Sequence, residues 1–349
     1  MKGRGAQINP DNPYEKLLKT THPDLTFSPP EEEVKTEYLE THPKTFINKV
    51  VSPDVRMEYS MNPYQGCEHG CVYCYARNTH PYWGYSAGLD FESKILVKKT
   101  APQLLAKKLA SPKWEVAPIM LSGNTDCYQP AEAKYKLTRQ ILEILERYNH
   151  PVGIITKSAL VLRDIDILRR LAAKNLVSVA ISINTVTEET RRMLEPRTAS
   201  IPRRLKVIEE LSAAGVYVYA MLGPLIPGLT DHEISDIVEA TTKAGAKGAG
   251  YISVRLNGDV GEIFTDWVRK TYPDRAEKIL NRIKETHGGT LNENRFGVRM
   301  KGEGIYAEMM AKHFEIARKK FLPDMISFEY DLNLFEKTRK PQASLFDLM

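Results

Sequence analysis

Between residues 58 and 254, a short apolar run gives way six times to a polar or glycine-rich turn and then to a helical pattern. No other feature limits the fold as strongly. Strands read over 58–63, 116–121, 152–155, 176–183, 216–222 and 250–254. Thr100-Ala101-Pro102 opens a helix to residue 110, and 131–148 carries Leu137, Ile141, Ile144 and Leu145 on one face. Further helices follow Lys157-Ser158 as far as 174 and span 201–214, stopping at Gly215. A last one runs to 244 from a capping box at Thr230-Asp231-His232-Glu233. Six such units predict an α/β fold, a parallel sheet under outer helices, best met by a partial (β/α)6 TIM barrel. Chemistry in such a barrel sits at the carboxyl ends of the strands.

The flanks differ in character. Residues 1–45 are rich in Pro, Asn, Thr and Glu and read as an extended N-terminal arm around the domain, or as partly disordered chain. The barrel is expected over 46–255. A C-terminal helical extension over 256–325, with helices at 260–270, 275–285 and 303–320, is expected to close one edge of the barrel, and 326–349 reads as a tail. There is no internal repeat. No run of about 18 apolar residues occurs, so no membrane span is expected. The start, Met1-Lys2-Gly3-Arg4-Gly5, leads into polar sequence, so no secretory signal is expected. The net charge of +5 permits a phosphate-bearing partner without requiring one.

Four cysteines in a chain of 349 residues do not make a disulfide scaffold. Three of them, Cys67, Cys71 and Cys74, stand in Gly66-Cys67-Glu68-His69-Gly70-Cys71-Val72-Tyr73-Cys74-Tyr75 with C-x3-C-x2-C spacing. Thiolates are soft ligands for iron–sulfur clusters or zinc. Three without an obvious fourth suit a [4Fe–4S] cluster with one iron open. Structural zinc wants four ligands, and His69 or His80 would have to complete the set. The spacing implies a reducing compartment, so a cytoplasmic location is expected.

This loop resembles the signature of the radical SAM superfamily. The resemblance implies that the open iron holds S-adenosylmethionine and that one electron, from a low-potential ferredoxin or flavodoxin, cleaves it to methionine and a 5′-deoxyadenosyl radical. It also implies that the backbone at Tyr73 meets the adenine amino group. Polar groups at the strand ends then become candidates. Lys157 suits the cofactor carboxylate, and the turn from Ser122 to Asp126 suits its ammonium. Ser182 suits the carboxylate or ribose, with Asn184 beside it. Gly223-Pro224 would admit backbone to the adenine. Arg197, in Leu194-Glu195-Pro196-Arg197, faces the site or pairs with Glu195. The alternative for each is that polar residues simply cap parallel strands.

Longer stretches narrow the resemblance. Asn62-Pro63-Tyr64-Gln65-Gly66-Cys67, Thr125-Asp126-Cys127-Tyr128-Gln129-Pro130-Ala131-Glu132, Glu195-Pro196-Arg197-Thr198 and Pro224-Leu225-Ile226-Pro227-Gly228-Leu229-Thr230-Asp231 are similar to the spore photoproduct lyase branch, whose members are called DNA repair photolyase-like. The start Lys2-Gly3-Arg4-Gly5 and the stretch Asn78 to Tyr85 resemble a bacterial subgroup of it. The lyase uses a cysteine past the second strand as hydrogen donor. Cys127 lies in that region among unlike neighbours, and its alternative is a small buried hydrophobe. Tyr128, Tyr82, Trp83 and Tyr85 would stack an unpaired base or relay a radical, or else pack on the barrel. The pairs Lys98-Lys99, Arg203-Arg204 and Lys319-Lys320 would contact phosphates or form solvated faces. The expected activity is radical chemistry on nucleic acid. The alternatives are a radical SAM enzyme acting on a peptide or small metabolite, and a non-catalytic metal-binding module. Finally, Gln342-Ala343-Ser344-Leu345-Phe346 resembles the short peptide with which bacterial repair proteins bind the sliding clamp.

Overall fold

Six strands lie side by side in chain order with every neighbour parallel: β1 (Tyr59–Met61), β2 (Ile119–Leu121), β3 (Val152–Thr156), β4 (Val177–Ser182), β5 (Tyr217–Leu225) and β6 (Gly248–Ser253). The computed structural model describes residues 3–14, 34–55 and 57–336. A short strand, Asn48–Lys49, pairs antiparallel with β1. Among the described residues no pairing joins β6 back to β1, so the expected (β/α)6 arrangement is an open sheet.

Alternation along each strand sends side chains to two faces. Leu121, Ile154, Val179 and Val218 are in register on one face and wholly buried. Over them pack α1 (Ala101–Leu109), α2 (Leu137–Arg147), α3 (Ile165–Ala172), α4 (Ile201–Ala213) and α5 (Ile234–Lys243), which complete the main core. The other face carries Met120, Gly153, Ser178 and Tyr217 in one row and Ser182, Met221 and Gly250 in another. The glycines of β6 make room for the rings of β5. A Cβ at Gly250 would lie 2.1 Å from the Tyr219 hydroxyl, and one at Gly248 would lie 2.4 Å from that of Tyr217.

Several elements depart from the sequence reading. The helix expected over 131–148 breaks into Ala131–Tyr135 and α2, with Lys136 at φ 52°. The cause is Glu132, whose buried carboxylate accepts from the Thr138 N–H at 3.0 Å and so caps α2. The capping box at Thr230 does not form. The Thr230 hydroxyl accepts from the Ile226 N–H, and the Glu233 carboxylate accepts from Thr185 and from the Val186 N–H. Gly223-Pro224, expected to lie past the strand's end at residue 222, continues β5. Within the arm, Glu37–Glu40 is a strand, parallel to Lys94–Val97, which also pairs with Tyr64–Gln65.

The C-terminal helices are α6 (Asp259–Thr271), α7 (Ala276–Glu285) and α8 (Ile305–Phe321). Helix α8 lies on α5 and beside β6, where Phe314 meets Tyr251 at 5.1 Å. Helices α6 and α7 instead cover the cysteine loop: Val260, Phe264, Trp267, Ile279 and Ile283 share a core with Cys71, Val72 and Tyr73. The stretch expected to be a tail is packed as far as it is described. Ile326 and Asp331 donate to the Lys247 and Asn175 carbonyls, and Tyr330 meets the Ser178 hydroxyl at 2.6 Å. These contacts line the amino ends of the strands, opposite the cysteines. Residues 342–346 lie outside the described residues. No helix among the described residues is long and apolar enough to cross a membrane.

Candidate functional site

The loop from Gly66 to Tyr75 follows β1 and meets the residues that leave β2, β3 and β4. Gly66 and Gly70, at φ +80° and +69°, turn it. Cys67 and Cys71 are buried, Cys74 is partly exposed, and all three are free thiols. The loop is braced on every side. One buried amide, Gln129, donates to the Gly66 carbonyl at 2.9 Å and accepts from the Glu68 N–H at 3.1 Å, so it brackets Cys67. The Val72 N–H donates to the Leu194 carbonyl, and the Arg197 N–H to that of His69. Arg77, wholly buried, gives two N–H bonds to the Cys71 carbonyl at 3.0 and 2.9 Å and pairs with Glu92 at 2.5 Å.

Among the described residues no group of three or more His, Cys, Asp or Glu is placed to hold a single metal ion. The histidines proposed as a fourth zinc ligand have other contacts: His69 lies 3.4 Å from Asp126, and His80 Nε2 is 3.1 Å from the Asp90 carbonyl. Three soft donors on a braced loop, two of them buried, fit an iron–sulfur cluster. Burial pushes the Cys67 and Cys71 thiols up, so taking metal must displace their protons.

Beside the loop lies a buried charge network. Glu195 and Arg204, at 0% and 1% exposure, form an ion pair. Glu195 also accepts from the Tyr73 hydroxyl, and Arg204 donates to the Ser182 and Ala199 carbonyls at 2.9 and 3.0 Å. Arg204 is therefore internal, not part of a solvated basic face. Burial alone would raise the Glu195 pKa, but Arg204 and Lys157 outweigh it and hold it low. Asn184 donates to the Tyr73 hydroxyl at 3.3 Å, while its Oδ1 is buried without a partner. Lys157, at the end of β3, stands 6.0 Å from the Tyr73 ring centre. Burial would lower its pKa, but Cys71 and Glu195 outweigh this, so it stays charged.

The remaining candidates separate into two groups. Ser182 and Gly223 line the open face of the sheet, where a Cβ on Gly223 would meet Ile252 and Met221 at 3.1 Å. Asp126 is already committed. It accepts from the Thr156 hydroxyl at 2.8 Å and from the Lys157 and Tyr128 N–H groups at 2.9 Å, and it faces His69. Ser122 accepts from the Cys127 N–H at 2.7 Å. Asp126 thus ties the turn after β2 and the end of β3 to the loop, whereas Ser122 bonds within its own turn. Cys127 and Tyr128 are wholly buried in the main core, and the Tyr128 hydroxyl donates to Asp164. Neither the thiol nor the ring reaches solvent in this structure. Arg197 pairs with Glu68 at 3.6 Å rather than with Glu195. Tyr82 is exposed and stacks on Tyr14, whereas Tyr85 lies against His80. Lys98 is not on a solvated face: it donates to the Asn62 carbonyl, and burial pulls its pKa down to about 8.

Three site residues escaped the sequence reading. Gln129 and Arg77 brace the loop; Gln129 stands inside a stretch already quoted, and Arg77 follows the cysteine motif by two residues. Arg255, two residues past β6, is half-buried and makes no hydrogen bond or ion pair among the described residues. Burial and the like charge of Arg299 lower its pKa, while Tyr75 and Asp54 raise it. Tyr75 is 45% exposed, and its hydroxyl donates to the Gly123 carbonyl at 2.5 Å. A free guanidinium and an open ring thus stand on the cysteine side of the sheet.

Comparison with known proteins bears on this arrangement. The sequence profile of the Radical SAM superfamily matches residues 61–241. An uncharacterised protein of Mycobacterium tuberculosis is 32% identical over 70% of this chain and 72% of its own length. One from Methanocaldococcus jannaschii is 30% identical over 71% of this chain and 88% of its own. The solved structure of a spore photoproduct lyase mutant with bound AdoMet and dinucleoside spore photoproduct matches 84% of this chain and 82% of its own at a TM-score of 0.62, with 16% sequence identity.

Proposed function

The chain belongs to the radical SAM superfamily of enzymes, and from that premise we propose that it carries a [4Fe–4S] cluster on Cys67, Cys71 and Cys74, binds S-adenosylmethionine beside it and acts on nucleic acid. One observation supports the reading most. Three thiols on a braced loop, two of them buried, adjoin a charged lysine and an unpartnered amide oxygen at the carboxyl ends of the strands. When bound, the cluster supplies the electron that cleaves S-adenosylmethionine to a 5′-deoxyadenosyl radical able to take hydrogen from a substrate. The protein binds, orients and excludes water. The Lys157 ammonium pairs with the cofactor carboxylate, and Asn184 Oδ1 accepts from its ammonium. Ser182 meets the carboxylate or ribose, the Tyr73 backbone meets the adenine, and Gly223 leaves room for it. Asp126 acts indirectly, by holding His69 and the Lys157 backbone in place, and Ser122 by holding the Cys127 N–H.

For the substrate, the free Arg255 guanidinium suits a phosphate and the exposed Tyr75 ring suits an unpaired base. The fold shared with spore photoproduct lyase supports the same class. A low-potential ferredoxin or flavodoxin is the electron donor, the cytoplasm the location, and residues 342–346 a sliding-clamp peptide. The test is anaerobic reconstitution followed by reduction with S-adenosylmethionine, with or without ultraviolet-damaged single-stranded oligonucleotides in deuterated buffer. The reading predicts 5′-deoxyadenosine release and an altered oligonucleotide. Release with untouched oligonucleotides would move the substrate to a peptide or small metabolite. No release from cluster-loaded protein would leave a metal-binding module.

A further inference from the structure

Residues 3–10 run against the back of the cysteine loop with almost no space between the two backbones. A Cβ on Gly5 would stand 1.7 Å from the Gly70 carbonyl oxygen and 3.1 Å from Val72. Further along, a Cβ on Gly88 would stand 2.2 Å from the Ile8 carbonyl oxygen. The Gly5 and Ala6 N–H groups both donate to the Glu92 carboxylate, at 3.0 and 2.7 Å. Arg4 donates to the Glu92 and Val34 carbonyls at 2.7 and 2.6 Å. Glu92 in turn pairs with Arg77, and both are 0% exposed. Arg77 completes the path with its two bonds to the Cys71 carbonyl. Hence the segment, the buried ion pair and the backbone of one thiol residue form a continuous hydrogen-bonded series.

We propose that Arg4–Ala6 is a strap that positions the cysteine loop. It acts through Glu92 and Arg77 on Cys71 and seals the Gly70 turn from solvent. The physical reason lies in Glu92. A carboxylate buried beside one guanidinium needs further donors, and the strap supplies two backbone N–H groups. Without them the pair must rearrange, and Arg77 loosens its hold on Cys71. None of these residues touches the thiol sulfurs, so they are positioning residues. The consequence for cluster retention rests on the cluster reading above; the consequence for thiol exposure does not.

Gly5→Ala is the direct test, because the φ of Gly5 is ordinary and only the contact with Gly70 opposes a methyl group. Gly3→Asn is the control, since nothing lies within 4 Å of that position and Asn tolerates its φ of +76°. Arg4→Gln, which removes donors without adding bulk, serves if Gly5→Ala does not fold. In the metal-free full chain, alkylation by iodoacetamide is followed thiol by thiol, with buried Cys127 as the internal reference. The strap predicts Cys71 labelling about tenfold faster in Gly5→Ala, or in Arg4→Gln, through local opening, with Cys127 unchanged. In the reconstituted chain it predicts loss of more than about half the iron on anaerobic desalting and faster bleaching in air. Wild-type Cys71 labelling in both variants overturns the strap. Faster labelling in a chain whose wild type takes up no iron would keep the strap and overturn the cluster reading alone. Equal acceleration at Cys127 would mean general loosening and would also overturn the proposal.

Discussion

Replacing Glu195 by Gln tests the buried network that supports the cofactor end of the site. The substitution keeps shape and an acceptor for Tyr73 but removes the charge opposite Arg204, which is 1% exposed. Breaking a buried ion pair by neutralising one partner costs about 3–5 kcal/mol. Arg204 would keep its bonds to the Ser182 and Ala199 carbonyls, so the lower end, about 3 kcal/mol, is expected. Urea unfolding of the metal-free protein measures this. Replacing both partners by apolar residues, Glu195→Leu with Arg204→Met, should recover most of the loss, because no uncompensated charge remains. The pH dependence has a definite sign. Glu195 is held below its ordinary 4.5, so below that value the unfolded chain takes up a proton that the folded chain refuses. The pair's contribution is present above the ordinary value and lost as pH falls through the lowered one. Glu195→Gln should flatten that acid limb. A cost under about 1 kcal/mol, or an unchanged acid limb, would refute the network's role.

Three further substitutions separate the parts of the site. Lys157→Ala should weaken S-adenosylmethionine binding about tenfold or more without loss of iron, since a charge-assisted bond contributes roughly 1.5–3 kcal/mol; equilibrium dialysis on reconstituted protein measures it. Gln129→Leu leaves the Gly66 carbonyl and the Glu68 N–H buried and unpaired, so iron content after desalting should fall while cofactor contacts are untouched. Arg255→Gln should weaken binding of a fluorescein-labelled single-stranded oligonucleotide and lower its salt slope by about 0.7, the value for one phosphate contact on a single strand. An unchanged slope would remove Arg255 from the nucleic-acid surface.

Local patterns and long-range partners were unequally legible in the sequence. The β/α alternation and the cysteine loop were readable because each depends on neighbours a few residues apart. The helix break at Lys136 was hidden because Glu132, within the same periodic stretch, caps the helix that follows. Gly223-Pro224 has turn composition, yet β6 pairs alongside it as far as Leu225. The brace on Cys67 comes from Gln129, more than sixty residues away, and the strap reaches Glu92 from Gly5. A sequence displays such donors and acceptors without showing which ones meet. Cys127 shows the converse: a thiol at a strand end has the composition of a reactive group, and only its packing reveals that it is sealed. Phe328 and Tyr330 carry no periodic signal, because they dock on strand ends rather than along an element of their own.

The central claim is that Cys67, Cys71 and Cys74 hold a cluster whose remaining iron takes S-adenosylmethionine. Electron paramagnetic resonance of the reconstituted, dithionite-reduced protein, recorded before and after addition of S-adenosylmethionine, tests it most directly. The account predicts the signal of one reduced [4Fe–4S] cluster, shifted by the cofactor, absent when any of the three cysteines is Ala, and intact in Cys127→Ala. A signal that S-adenosylmethionine leaves unmoved, or one lost in Cys127→Ala, would contradict it.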